Sequence, residues 1–425
     1  MQDWLMRAAG AHPDRAALQR GDEVMTYAQL LGAARAARPA AAPGERVPLA
    51  FDDRLEFAVA MHGCLLTDAA AVPIDLRLSP EEQALRRRSG IAGTAGTAGT
   101  AGTAGTAGTA AIMYTSGTTS APKPIELTAE NFYANAAGSA IALGLDPQER
   151  WLAVMPLAHV GGLTILLRSA IYATTVLVHN GFDTQAVLGE LMDRSRAVTL
   201  VSLVPTMLAR LLDAGLEAPP TLRWALLGGG PIPAGLLARA HDQRVPVAPT
   251  YGMTEACSQI ATFGRPLHGV ELRVTPEQEI QVRGSVVAPG ALGADGWLAT
   301  GDLGALTEDG RLEIIGRRSD TIVSGGENVA PAEVEAILLE HPAVADAGVF
   351  ARSDAEWGEV VWARVVLRHG APEASDALAG DLRAFCRKRL AGFKVPKAIE
   401  FAPELPRTPS GKLLRRQLMS HQPRL

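Results

Sequence analysis

Between residues 151 and 227, short apolar runs (Trp151 to Met155, Ala197 to Leu203, Trp224 to Leu227) alternate with stretches of helical spacing, Asp183 to Arg194 and Pro205 to Ala214. An apolar run too short for a helix suits a strand covered on both faces, and helices between such strands supply the cover. The alternation predicts parallel α/β layers. At 425 residues the chain exceeds one hydrophobic core's usual reach, so at least two domains are expected, the larger divided into subdomains. Near residue 318 the pattern changes: Gly316-Arg-Arg-Ser-Asp320 is followed by Thr321-Ile-Val323, a Gly-Gly turn and a helically spaced Pro331 to Leu339. The expected fold is α/β, with a large N-terminal domain of layered α/β subdomains over 1–318 and a small α+β C-terminal domain over 319–425.

Composition narrows the function classes. With 47% hydrophobic residues, 20% charged residues and a net charge of -5, the chain reads as a soluble globular protein with no electrostatic footprint for nucleic acid. Cys64, Cys257 and Cys386 are odd in number and far apart, which favours a reduced compartment and assigns them no chemistry. The amino terminus has Asp3 near its start and lacks an apolar core of signal-peptide length, so a cytoplasmic location is expected. The most apolar stretch, Val160 to Val178, carries Arg168 and two glycines, which argues for a buried helix or strand and against a membrane span.

Residues Ala92 to Thr109 are six consecutive Ala-Gly-Thr triplets, too rich in glycine and too poor in apolar residues for a stable helix. A flexible surface loop is expected. Ala111-Ile-Met-Tyr114 then reads as a short buried strand entering Thr115-Ser116-Gly117-Thr118-Thr119, with Lys123 four residues on. Hydroxyls, close-approaching amides at glycine and one lysine suit a polyphosphate. An ordinary Ser/Thr-rich turn is the competing reading, and the spacing is not that of a Walker loop.

This segment resembles the phosphate loop of the acyl-adenylate-forming superfamily, which includes acyl-CoA ligases, luciferases and peptide-synthetase adenylation domains. Four further segments resemble that superfamily's motifs in its own order. In Tyr251-Gly-Met-Thr-Glu255 the resemblance implies that the ring of Tyr251 lies near adenine, Thr254 touches phosphate and Glu255 helps hold magnesium. In Trp297-Leu-Ala-Thr-Gly-Asp302 it makes Asp302 the acceptor for both ribose hydroxyls, with Arg317 of Gly316-Arg317 a second ribose contact. In Pro406-Arg-Thr-Pro-Ser-Gly-Lys412 it makes Lys412 the catalytic lysine. Each segment alone is commonly a turn, a solvated loop or a helix start; together they span residues 114 to 412.

The implied chemistry is activation of a carboxylic acid by ATP with magnesium, followed by transfer of the acyl group to coenzyme A. A carboxylate attacks the α-phosphorus and expels pyrophosphate, and charge stabilisation by Lys412 and by the metal near Glu255 serves that transition state with no protein nucleophile. In the family the small domain then rotates to present a thioester-forming face, which makes it mobile. Ser319 aligns with the hinge, and Gly325-Gly326 of Gly325-Gly-Glu-Asn328 resembles the turn brought toward the pantetheine channel; a plain turn with glycines at positive φ is the simpler reading of these side chains. Trp357, Phe393 and Lys397 are candidates to meet the coenzyme A nucleotide, with packing as the alternative for the aromatics.

For the acid, Pro156-Leu-Ala-His159-Val-Gly-Gly-Leu-Thr-Ile-Leu-Leu-Arg168-Ser is informative. His159 aligns with a residue beside the acyl site in relatives, and is also a catalytic candidate. An arginine within an apolar stretch needs an anion; it is either a second substrate carboxylate or an internal one. The stretch 159–172, Leu227-Gly228-Gly229-Gly230-Pro231, Met253 to Gln259 with Ser258, and Ser324 to Glu333 look most like the o-succinylbenzoate:CoA ligases of menaquinone synthesis, whose substrate keeps a second carboxylate after activation. Gly228 to Gly230 would let adenine and an aromatic acid approach backbone. A homodimer is a family-level expectation.

Two places depart from the family pattern. Ser120, Ala121 and Pro124 stand where relatives usually show Gly, Lys and Gly, which removes loop freedom and one cation, and the triplet tract replaces additional strand and helix. The rivals are a non-catalytic nucleotide- or acyl-binding homologue and an adenylating enzyme that loads a carrier protein.

Overall fold

The computed structural model describes residues 4–89, 108–115, 123–408 and 413–420. They form two compact units: Met1–Gly229 with Ala240–Leu272 and Val282–Ala299, and Gly230–Arg239 with Arg273–Gln281 and Thr300–Leu425.

The first unit is layered α/β. Its larger sheet has nine strands, in the order Arg265–Pro266, Ser258–Thr262, Val247–Met253, Trp224–Leu227, Leu200–Leu203, Arg150–Ala153, Thr175–Val178, Ala16–Arg20 and Glu23–Thr26. The six central strands run parallel, and an antiparallel hairpin finishes each edge. Leu200–Leu203 and Thr175–Val178 are buried at every position, as strands covered on both faces must be. The apolar runs read from the sequence are these strands, and the expected helices appear as Thr184–Met192 and Pro205–Asp213. Asp183 caps the first by accepting from Ala186 N at 2.8 Å; Pro205 starts the second, where its missing N–H costs nothing.

The stretch from Val160 to Val178 is a buried helix, Val160–Tyr172, followed by the strand Thr175–Val178. Among the described residues no helix is long and apolar enough to cross a membrane. The second sheet of this unit orders Arg46–Leu49, Ala70–Pro73, Thr109–Thr115 and Lys123–Thr128, parallel except for its final hairpin. Of the triplet tract, residues 92–107 lie outside the described residues. Its last residue corrects the loop reading: Thr109 is buried and opens a strand, because the following apolar run pulls its neighbour into the sheet.

The second unit is α+β. Its sheet orders Glu327–Val329, Ile322–Ser324, Gly358–Leu367 and Val344–Asp354, with Ala398–Phe401 pairing parallel to Gly358–Leu367. The helices Pro331–Leu339 and Asp376–Arg387 bury Val334, Leu338, Leu382 and Cys386 in one core with Ile322, Val349 and Val361.

Candidate active site

The candidate phosphate loop hangs from an antiparallel hairpin in which Thr115 pairs with Lys123 and Tyr114 with Pro124. Ser116, Gly117, Thr118, Thr119, Ser120 and Ala121 lie outside the described residues. Beside this stem packs the turn Thr254–Ala256, which touches both hairpin strands. The turn is part of a second hairpin: Met253 pairs with Ser258, Cys257 N donates to Thr254 O at 3.0 Å, and Cys257 and Ser258 take φ of 51° and 92°. Gly252 makes this possible, because a Cβ there would lie 1.5 Å from the Ser258 carbonyl oxygen. Tyr251, Thr254 and Glu255 are thereby carried on one rigid ribbon. The Glu255 backbone carbonyl accepts from Ala288 N at 2.8 Å, while its half-buried carboxylate has no partner among the described residues.

That carboxylate fits a magnesium ion. Mg²⁺ is commonly held by one or two carboxylates plus substrate phosphates rather than by an all-protein cage, and no cluster of three His, Cys, Asp or Glu exists among the described residues. Glu255 would hold the ion, which would neutralise phosphate charge.

Gly228 follows its strand so closely that a Cβ would meet Thr250 Cγ2 at 2.7 Å, and Gly229 takes φ +79°. Both glycines are therefore required by the backbone itself. Gly230 has open space at its Cβ position and belongs to the second unit.

His159 is the residue before the Val160–Tyr172 helix and makes no capping bond. Pro156 lies against the first turn, where a Cβ on Gly162 would meet its carbonyl oxygen at 2.2 Å. The imidazole reaches across to Asp75, Nε2 to Oδ2, at 3.2 Å. Asp75 follows the strand Ala70–Pro73, its side chain 6% exposed, and accepts from Arg77 Nε at 2.9 Å and Arg77 Nη2 at 2.7 Å. Burial alone raises the Asp75 pKa, but the hydrogen bonds from His159 and Arg77 outweigh it and hold the carboxyl well below its usual range.

Arg168 is 2% exposed. Its Nη2 donates to Asn135 Oδ1, and its guanidinium carbon stands 5.5 Å from the Trp151 ring centroid. Asn135 Nδ2 in turn donates to Gln259 O at 2.9 Å. No carboxylate among the described residues pairs with Arg168, and its Nε has no partner; burial pulls its pKa below the usual guanidinium value. The internal-carboxylate partner is thus not found.

In the second unit Asp302 and Arg317 sit opposite one another on antiparallel strands, with Arg317 Nε 2.9 Å from Asp302 Oδ1. Asp302 N donates to Thr300 Oγ1 at 3.1 Å. Gly325 and Gly326, at φ +60° and +85°, form the two-residue turn between paired Ser324 and Glu327, a hairpin geometry that needs positive φ twice. A Cβ on Gly325 would also meet Trp357 Cε3 at 2.5 Å. Lys397 Nζ stands 5.0 Å from the Trp357 ring centroid. Ser319 donates to Asp320 at 3.1 Å. Lys412 lies outside the described residues; the flanking Arg407 and Leu413 form an antiparallel bridge.

Within the first unit the structure brings Thr115, Lys123, Thr254 and Glu255 to adjoining hairpins, and within the second it joins Asp302 to Arg317. Asp75 and Asn135 were not singled out in the sequence. Asp75 sits in Val-Pro-Ile-Asp-Leu, where an acid ending an apolar run is the only signal; Asn135 is one of two asparagines on a largely apolar helix.

A layered α/β unit with a candidate phosphate hairpin, followed by an α+β unit, is the arrangement of a nucleotide-handling enzyme class. The chain belongs to the AMP-binding enzyme family: the AMP-binding enzyme model matches residues 5–89 and 99–293, and the AMP-binding enzyme C-terminal domain model matches residues 333–412. It is 37% identical to the 2-succinylbenzoate–CoA ligase of Bacillus licheniformis, over 98% of this chain and 99% of that one. It is 36% identical to the enzyme of the same name from Bacillus subtilis, over 98% and 97%. The solved B. subtilis o-succinylbenzoate CoA synthetase in complex with the acyl-adenylate intermediate superimposes with a TM-score of 0.88, at 36% identity, over 99% of this chain and 98% of that one. The complex of that synthetase with ATP and magnesium gives 0.87, over 98% and 99%.

Proposed function

We propose that this enzyme activates o-succinylbenzoate with ATP and magnesium and transfers the acyl group to coenzyme A. The observation carrying this is full-length similarity to ligases of that name together with the paired hairpins holding Lys123 and Glu255. A carboxylate oxygen bonds to the α-phosphorus as the bond to pyrophosphate breaks. The coenzyme A sulfur then bonds to the acyl carbon as the bond to AMP breaks, and the thiol proton leaves to solvent.

Thr115, Ser116, Gly117, Thr118, Thr119, Lys123 and Thr254 cradle the phosphates, and Glu255 holds magnesium. Tyr251 and Gly228 to Gly230 receive adenine, and Asp302 and Arg317 the ribose. Lys412 stabilises the transferring phosphate. His159, Gly230 and Ser258 border the acid. Arg168 offsets its second carboxylate; a buried cation with no carboxylate partner among the described residues acts over several ångströms in a medium of low dielectric. Gly325 and Gly326 border the thiol route, and the piece that moves is 319–425, turning at Ser319. A cytoplasmic location and a homodimer complete the reading.

The test is pyrophosphate release with ATP, magnesium and o-succinylbenzoate beside benzoate, a fatty acid and amino acids, each with and without coenzyme A. Release with o-succinylbenzoate and a coenzyme A thioester by mass is expected. Release with a different acid alone overturns the substrate, and silence with every acid overturns the ligase.

A further inference from the structure

The Asp75 carboxylate joins the two sheets of the first unit. It follows Ala70–Pro73 of the smaller sheet, while its partner His159 follows the Arg150–Ala153 strand of the larger one. Both residues lie just past the carboxyl ends of parallel strands, the edge at which open α/β sheets bind ligands. Four donors saturate the carboxylate: Arg77 N at 3.1 Å and Arg77 Nε at 2.9 Å on Oδ1, Arg77 Nη2 at 2.7 Å and His159 Nε2 at 3.2 Å on Oδ2. Arg86, buried over the Tyr114 ring at 5.4 Å, adds a further cation whose charge interacts with Asp75.

The imidazole is one-third exposed and among the described residues has this single hydrogen bond, with none to its own helix. A ring so placed would otherwise sample several rotamers and both tautomers. A carboxylate only accepts, so Nε2 carries a proton, and in the neutral ring Nδ1 is then the acceptor.

We infer that Asp75 is a positioning residue for acid activation, fixing the orientation and Nε2 protonation of His159. This rests on the proposed placement of His159 beside the acid. In Asp75→Asn one oxygen becomes an NH₂ group. At the Oδ1 position the NH₂ would face two fixed donors, Arg77 N and Nε; at the Oδ2 position it faces one, Arg77 Nη2, and an imidazole able to accept, so the NH₂ faces His159 and the proton moves to Nδ1.

The experiment compares Asp75→Asn, Asp75→Glu, His159→Ala and the Asp75→Asn/His159→Ala double variant. Expected are a loss of about tenfold in kcat/KM for the acid in Asp75→Asn, an unchanged KM for ATP and partial rescue by Asp75→Glu. In the His159→Ala background Asp75→Asn costs nothing further, since the residues act as one unit. An equal loss in both backgrounds overturns the inference, as does a KM for ATP that rises in step. With 15N-labelled histidine, the Nε2–H signal that disappears in His159→Ala is expected to be lost in Asp75→Asn, and its persistence there overturns the inference. That spectrum needs no turnover, so a wild type inert toward every acid would overturn the ligase reading while the pair is still tested.

Discussion

Arg317 Nε approaches Asp302 Oδ1 to 2.9 Å across two strands whose register sets the residues face to face. The Asp302 side chain is nearly buried while that of Arg317 is partly exposed, so truncating Asp302 breaks the pair and leaves the guanidinium to solvent. If Asp302 also accepts from ribose hydroxyls, Asp302→Ala raises KM for ATP by roughly ten- to a hundredfold, the worth of hydrogen bonds to a charged acceptor. It also erases discrimination against 2′-deoxy-ATP. Steady-state kinetics with both nucleotides checks this; retained discrimination would remove Asp302 from the ribose.

Lys412→Ala is expected to cut acid-dependent pyrophosphate release by roughly a hundred- to a thousandfold, the cost of losing one oriented charge-stabilising donor. ATP affinity by calorimetry stays near wild type, because the contact matters in the transition state. Unchanged turnover would exclude Lys412 from the mechanism.

Arg168→Met replaces a buried guanidinium, whose Nε has no partner, by an apolar chain of similar reach, an exchange that buried sites often tolerate. We expect preference for o-succinylbenzoate over 4-oxo-4-phenylbutanoate, which lacks the second carboxylate, to collapse by about tenfold or more while the monoacid rate holds. Equal losses for both acids would assign Arg168 to packing.

His62 is buried in the Arg54–Leu66 helix, with Nε2 unpartnered among the described residues. Burial lowers its pKa to about 4. A histidine whose folded pKa lies below the unfolded value binds its proton more readily when unfolded, so it contributes nothing above about pH 6.5 and destabilises the fold progressively as pH falls toward 4. The loss amounts to about 3 kcal/mol at full development, and His62→Gln should flatten the Tm profile between about pH 6.5 and 4. An unaltered slope would show that other groups carry the acid sensitivity.

The strands at 150–153, 200–203 and 224–227 were legible because each is mostly apolar and too short for a helix, the signature of a strand covered on both faces. The candidate motif Tyr251 to Glu255 was legible as a unit, since its residues are consecutive and occupy one ribbon. Asp75 was not, because its partner stands 84 residues away and only folding brings an acid at a strand end to a histidine at a helix start. His62 and Asn135 were hidden likewise: a polar residue on an apolar helix looks the same in sequence whether it meets water, a partner or nothing. The end of the triplet tract misled in the opposite sense, since repetition masked the strand beginning at Thr109.

The absent side chain at Gly252 works as a length gauge. With the Ser258 carbonyl 1.5 Å from where a Cβ would stand, the ribbon cannot be respaced by one residue without parting its two strands. The backbone positions of Tyr251 and Glu255 are therefore set by one hairpin register. With Tyr251 toward the base and Glu255 toward the metal, as proposed, the hairpin would set the spacing between those two contacts.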